Sequence, residues 1–236
     1  MAKKEFPDKL ATKPKEKFAP PDAGGLGGDF SSKISGLSSK LFGIIKFILA
    51  IILLPLVYSS VVSFINEFTQ IDKGLAQVFY NGIISFLAIY LFIWEPAVIY
   101  NKGHKLLEIM FSFFKPLVNV APFLLPIYVI LFFIIYGLLS LGVKSGWLIE
   151  YTLFLIGFSS ILHLVFAAKT IRSKKGDFLR SNYIFGFSFI FILNLTLLAL
   201  GFSLIFKAFS FVNFCNVSFT IFKDIFIAVF NQLFLF

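Results

Sequence analysis

The chain has 236 residues, of which 58% are hydrophobic and 14% charged, with a mean hydropathy of +0.92 and a net charge of +9. Soluble domains run at roughly 45–50% apolar and about 25% charged, so this composition excludes water as the main solvent and implies lipid. The surplus of basic charge lies beside apolar runs, which assigns it to membrane topology and anionic headgroups and not to nucleic acid.

Residues 1–29, MAKKEFPDKLATKPKEKFAPPDAGGLGGD, are rich in Lys, Pro and Gly and poor in large apolar side chains. Such a segment has too little to bury to offset the entropy of ordering, so a disordered basic tail is predicted. It lacks an apolar core and a small-residue cleavage site, so no signal peptide is expected. In 30–40, Phe30, Ile34 and Leu37 recur at helical spacing among Ser and Lys, the pattern of a short amphipathic helix on the membrane surface. The alternative is that this stretch continues the first span.

Five apolar runs are each close to the roughly 20 residues needed to cross a bilayer: 41–65, 77–100, 117–143, 147–168 and 183–206. Pro55 interrupts the first, and Pro122 and Pro126 imply a bend in the third. Between the second and third lies NKGHKLLEIMFSFFKP, whose Leu106, Leu107, Met110, Phe113 and Phe114 share one face of an interfacial helix. The fourth and fifth are joined by KTIRSKKGDFLRSN, with Lys169, Arg172, Lys174, Lys175 and Arg180 against Asp177. These five cations are the candidate contacts for anionic lipid headgroups.

Orientation follows from the charge. Segments 1–40, 101–116 and 169–182 hold 8, 3 and 5 of the 21 Lys and Arg, whereas the alternate links 66–76 and 144–146 hold one each. The positive-inside rule then predicts a cytoplasmic N-terminus in a plasma or inner membrane. The expected fold is an all-α polytopic bundle of five transmembrane helices, or six, with interfacial amphipathic helices.

The sixth depends on 207–236. There Asn213, Asn216, Thr220, Lys223, Asp224 and Asn231 form one polar stripe on a helix otherwise of Phe, Ile and Val. As a span it would hold Lys223 and Asp224 near the midplane, where a charge costs about 2.5–3.5 kcal/mol on insertion scales. An interfacial or re-entrant course costs less and is favoured. In either course the stripe is a candidate association surface.

No phosphate-binding loop, dinucleotide turn, paired-cysteine spacing or HExxH occurs, so no catalytic, cofactor-binding or metal residues are assigned and no enzyme is expected. The lone Cys215 forms no internal disulfide. Intramembrane ionisable residues remain as candidates: Glu95, Glu150 and His163, with Asn194 as a buried amide. Glu95 and His163 each lie five residues before the same end of their spans, so they share a depth and form a pair if the spans are neighbours. Set against that pair, Glu95 suits a hydrated Trp-Glu-Pro turn, and His163 suits a hydrogen bond to a backbone carbonyl. Glu150, three residues inside Trp147, suits the interface. Asn194 needs an interhelical partner and marks the protein-facing side of its span. Gly137, Gly142, Gly157, Gly186 and Gly201 are candidate sites of close helix approach, without a clean GxxxG pair.

Two functions follow as expectations. The first is a structural or accessory subunit that scaffolds or anchors a membrane complex, bound to other membrane subunits or to itself. The second is a small ion or solute channel or transporter, proton-coupled through Glu95 and His163. A lipid-modifying enzyme is a distant third, since no nucleophile, base and orienter converge.

Overall fold

A computed structural model of the protein describes residues 27–114, 121–143, 145–173 and 183–234. The chain divides into two compact units, Met1–Leu41 and Phe42–Phe236. The tail 1–26 and the basic-turn residues Lys174, Lys175 and Arg180 lie outside the described residues. The protein is an all-α membrane protein, with no strand among the described residues.

Helix α1 runs Gly27–Phe68 without interruption at Pro55. Helix α2, Lys73–Phe92, begins where the Asp72 carboxylate accepts from the backbone N–H of Gly74 and Leu75, at 2.9 and 3.1 Å. It stops short of the expected Tyr100. Pro96 disfavours helical backbone at Glu95, and the chain restarts as α3, Ala97–Met110. That break turns Tyr100 inward: it is buried, as are Gly103 and Leu107, while Leu106, Ile109 and Met110 stay exposed.

The expected third span is divided. A single helical turn at 121–124 is followed by a gap and then by α4, Ile127–Ser140. Pro126 has no N–H and its ring opposes the carbonyl four residues back, so the ladder cannot pass through it. Helix α5 is Gly146–Ser173, α6 is Tyr183–Ile205 and α7 is Phe211–Phe234. Among the described residues, five stretches are long and apolar enough to cross a membrane: Phe47–Phe68, Lys73–Phe92, Gly146–Arg172, Tyr183–Ile205 and Phe211–Gln232. The C-terminal helix therefore has spanning length, whereas α4 is shorter.

Packing shows what α4 does. Helices α2 and α5 lie parallel: Phe79 meets Gly157, Phe86 meets Phe158, Tyr90 meets Phe166, and Glu95 meets Lys169. Two parallel neighbours require the chain to return between them. Helix α4 supplies the return, since Phe123 clusters with Ala167 while Val129 clusters with Ile156, an antiparallel order. Helix α6 is antiparallel to α5 as well, with Ile190 beside Ala167 and Asn194 beside Ser160.

Lipid provides no hydrophobic drive between helices, so close packing has to hold them. At the α2–α5 seam, a Cβ on Gly82 would lie 2.1 Å from the Phe154 carbonyl oxygen, and one on Gly157 would lie 2.2 Å from that of Phe79. Only glycine fits at these two positions. At the end away from the basic segments, Phe64 stacks on Phe68 at 5.6 Å and reaches Phe202, Phe209 and Phe214 at 6.0, 5.7 and 6.5 Å. This aromatic cluster fills the bundle where α1, α2, α6 and α7 meet.

Candidate functional site

A polar pocket lies in the half of the bundle nearer the basic segments. It forms where Pro96 sends α3 inward and the break at Pro122–Pro126 opens α4. Tyr100 and His104 from α3, Pro122, Pro126 and Tyr128 from the break, and Ser159 and His163 from α5 line a cavity of about 10 Å³. That is at the lower limit of what can admit one water molecule.

His163 is buried against the backbone carbonyls of Phe123 and Leu124, and its ring centroid lies 6.2 Å from that of Tyr100. Its Nε2 has no hydrogen-bond partner among the described residues. The carbonyls it faces belong to the segment that the two prolines free from the helical ladder. His104 packs edge-on against Phe123 at 4.8 Å and sets its Nε2 3.4 Å from Glu108 Oε1, one turn along α3. The Tyr128 hydroxyl donates to the Ile99 carbonyl at 2.7 Å, tying the start of α4 to α3.

The structure does not join Glu95 to His163. Lys169, from the end of α5, takes the Glu95 carboxylate in an ion pair with both side chains about half exposed. His163 lies six residues deeper on α5, about 9 Å along the axis. Arg172 is exposed near the same end, so of the candidate lipid contacts it is described as open and Lys169 as already paired.

Asn194 is fully buried, and its Nδ2 donates weakly to the Ser160 carbonyl at 3.4 Å. The partner it requires thus lies in this chain. Buried Thr152, Ser159 and Ser160 beside it return their hydroxyls to carbonyls of their own helix, at 2.7, 3.2 and 2.6 Å, and so need nothing from neighbours.

The C-terminal stripe separates into two parts. Asn213 donates to the carboxylate of Glu67, which also accepts the Ser210 N–H at 2.8 Å. Glu67 is buried at the end of α1 and clamps the turn between α6 and α7. Nothing in its sequence surroundings separates it from Asp72 in the same link, and only the fold brings Ser210 to it. The remaining stripe, Asn216, Thr220, Lys223, Asp224 and Asn231, is exposed, and only 11% of the spanning window of α7 is buried.

Gly157 and Gly201 are sites of close approach, Gly201 meeting the Phe133 ring, whereas Gly137 and Gly142 have nothing within 4 Å. Gly82 and Gly103 belong with the first two. A Cβ on Gly103 would fall 2.7 Å from the Tyr128 ring. Their signal in the sequence was weak, because each glycine of the α2–α5 crossing is answered by a backbone carbonyl and not by a second small residue four positions away.

Chemically, the cavity places two imidazoles and two phenols around a space at the lower limit for one water. Groups of these kinds can hold or pass a proton. No group of three His, Cys, Asp or Glu able to hold a metal occurs among the described residues. No protein-family model, curated protein or solved structure matches the chain.

Proposed function

We propose that the protein is a membrane-embedded subunit that acts by binding another membrane protein through α7. The observation that carries this reading is the outer face of α7. It is a helix of spanning length whose exposed surface carries two amides, a hydroxyl and the adjacent Lys223 and Asp224. Facing lipid, the amides would lack partners and charges at such depth are costly, whereas the Thr220 hydroxyl already donates to the Asn216 carbonyl at 3.0 Å. Facing a second protein's helix, they gain interhelical hydrogen bonds worth about 0.6–2 kcal/mol each.

Its anchoring supports the same reading. The first turn of α7 is fixed by Glu67 and by the Ser63 hydroxyl, which donates to the Phe214 carbonyl at 2.7 Å. Beyond that point the exposed residues Phe219, Phe226 and Val229 continue the helix with little burial against the bundle. A helix held firmly at one end and bare along the rest is presented for association.

Native mass spectrometry of the protein taken from its own membrane in mild detergent is the test. The expected spectrum contains further polypeptides at fixed ratio, lost when Lys223→Leu and Asp224→Leu are combined. A bare monomer, or a complex unaffected by the double variant, refutes the reading. The proton-coupled transporter draws support from the His163 cavity and the broken α4. It is disfavoured by the Glu95–Lys169 pair and by the aromatic cluster that fills the other half of the bundle.

A further inference from the structure

Glu150 takes no part in the polar interior or in the α7 surface. It lies near the start of α5, exposed, with no ion pair or hydrogen bond among the described residues. Trp147 and Tyr151 flank it at the helical spacings of three and one, and their rings stand 6.1 Å apart at 69°. With Val78 of α2 and with Phe154 and Leu155 one turn further along α5, they line a groove of about 520 Å³ on the outer surface of the bundle. A volume of that order is the size of a small-molecule site.

The groove has a polar head and an apolar foot. Its head is one carboxylate between two aromatic rings, both more than half exposed. From Trp147 to Leu155 the helix advances about 12 Å, the distance from the headgroup level into the upper acyl region. A carboxylate with aromatic walls selects an ammonium ion: the charge attracts it, and ring faces bind it without needing a hydrogen-bond donor. Headgroups of net negative charge, which have no ammonium to offer, are repelled.

We infer that this groove binds one zwitterionic glycerophospholipid, with its ammonium group against Glu150, Trp147 and Tyr151 and an acyl chain along Val78, Phe154 and Leu155. The occupant comes from the bilayer because the groove opens sideways to lipid and its apolar foot matches a chain and not a soluble cation. The selection is opposite in sign to that of the basic segments at the other end of α5. One helix thereby reads different headgroups in the two leaflets. The inference does not depend on α7 or on any partner protein.

The test uses the full chain with Trp94→Phe, which leaves Trp147 as the only tryptophan. It is reconstituted in bilayers mixing phosphatidylcholine and phosphatidylglycerol, one of the two carrying brominated chains. Brominated phosphatidylcholine is expected to quench Trp147 about fivefold more effectively per mole than the brominated anionic lipid. Glu150→Gln is expected to bring that ratio close to one. Should the Glu150→Gln protein fail to reconstitute, tetramethylammonium chloride against sodium chloride at equal ionic strength does the same work, and it should lower the ratio in protein with Glu150 intact. A ratio near one with Glu150 present, or a ratio unmoved by Glu150→Gln, overturns the inference. A change in Trp147 emission on adding tetramethylammonium to pure phosphatidylglycerol bilayers, with no lipid preference, assigns the groove to a soluble ammonium and also overturns it.

Discussion

Replacing Gly157 by Ala places a methyl group 2.2 Å from the Phe79 carbonyl oxygen, where ordinary van der Waals contact begins at 3.4 Å. The opposing atom is backbone inside α2, so no side chain can swing aside. The helices must separate by about 1 Å, and overpacking of this kind costs about 1–3 kcal/mol. The separation also forfeits a quarter to a half of the dispersion energy along the seam, where Phe86 meets Phe158 and Tyr90 meets Phe166. In the native seam the glycine hydrogen that stands in place of Cβ points at the carbonyl, a weak hydrogen bond worth about 0.5–1 kcal/mol. Against these losses, alanine gains about 1 kcal/mol of helix propensity. The net expectation is a destabilisation of about 1–3 kcal/mol, read by reversible unfolding in mixed micelles. Gly137→Ala is the control, because nothing lies within 4 Å of its added methyl and only the propensity gain remains. Gly82→Ala should match Gly157→Ala. Once one methyl has parted the helices the second costs little, so the double variant should fall short of the sum by about 1 kcal/mol. A Gly157→Ala protein as stable as Gly137→Ala would refute the parallel crossing.

Three further outcomes follow from the same packing. Glu67→Ala leaves the Ser210 N–H and the Asn213 amide without an acceptor in a partly exposed turn, and should cost about 1–2 kcal/mol of stability in the same unfolding assay. Gly103→Val drives a side chain into the Tyr128 ring and should break the tie between Tyr128 and Ile99, read as faster amide exchange at 127–130. Asn194→Leu should be close to neutral, because it removes a long 3.4 Å hydrogen bond together with an amide oxygen that has no partner among the described residues. A loss above about 2 kcal/mol would show that Asn194 holds more than Ser160.

The membrane class, the helical character and the alternation of basic and non-basic connections are legible in the sequence. They depend on composition and on runs of apolar residues, which act locally and need no partner. The ends of the spans were less legible. Pro96 ends α2 early and starts α3, which moves Tyr100 from a helix terminus to the wall of the polar cavity. Pro122 and Pro126 signalled a bend, and they also divide the segment and free the carbonyls that face His163.

Side-chain partners were beyond the sequence altogether. Their positions in the sequence predict a common depth for Glu95 and His163, yet Glu95 lies past the end of α2 and level with Lys169, about 9 Å from His163 along α5, and depth alone does not determine azimuth. Rotation about the helix axis is set by the interlocking of Gly82 and Gly157 with opposing carbonyls, and that rotation gives Glu95 to Lys169 and turns His163 toward Phe123 and Tyr100. Distance along the chain hid Glu67 in the same way, since its partners lie more than 140 residues away. Hydropathy thus determined that this chain enters a membrane, while the break at Pro122–Pro126 and the spanning length of α7 emerged only in the structure. Tertiary packing decided which polar groups meet, because that depends on close approach between backbones remote in sequence.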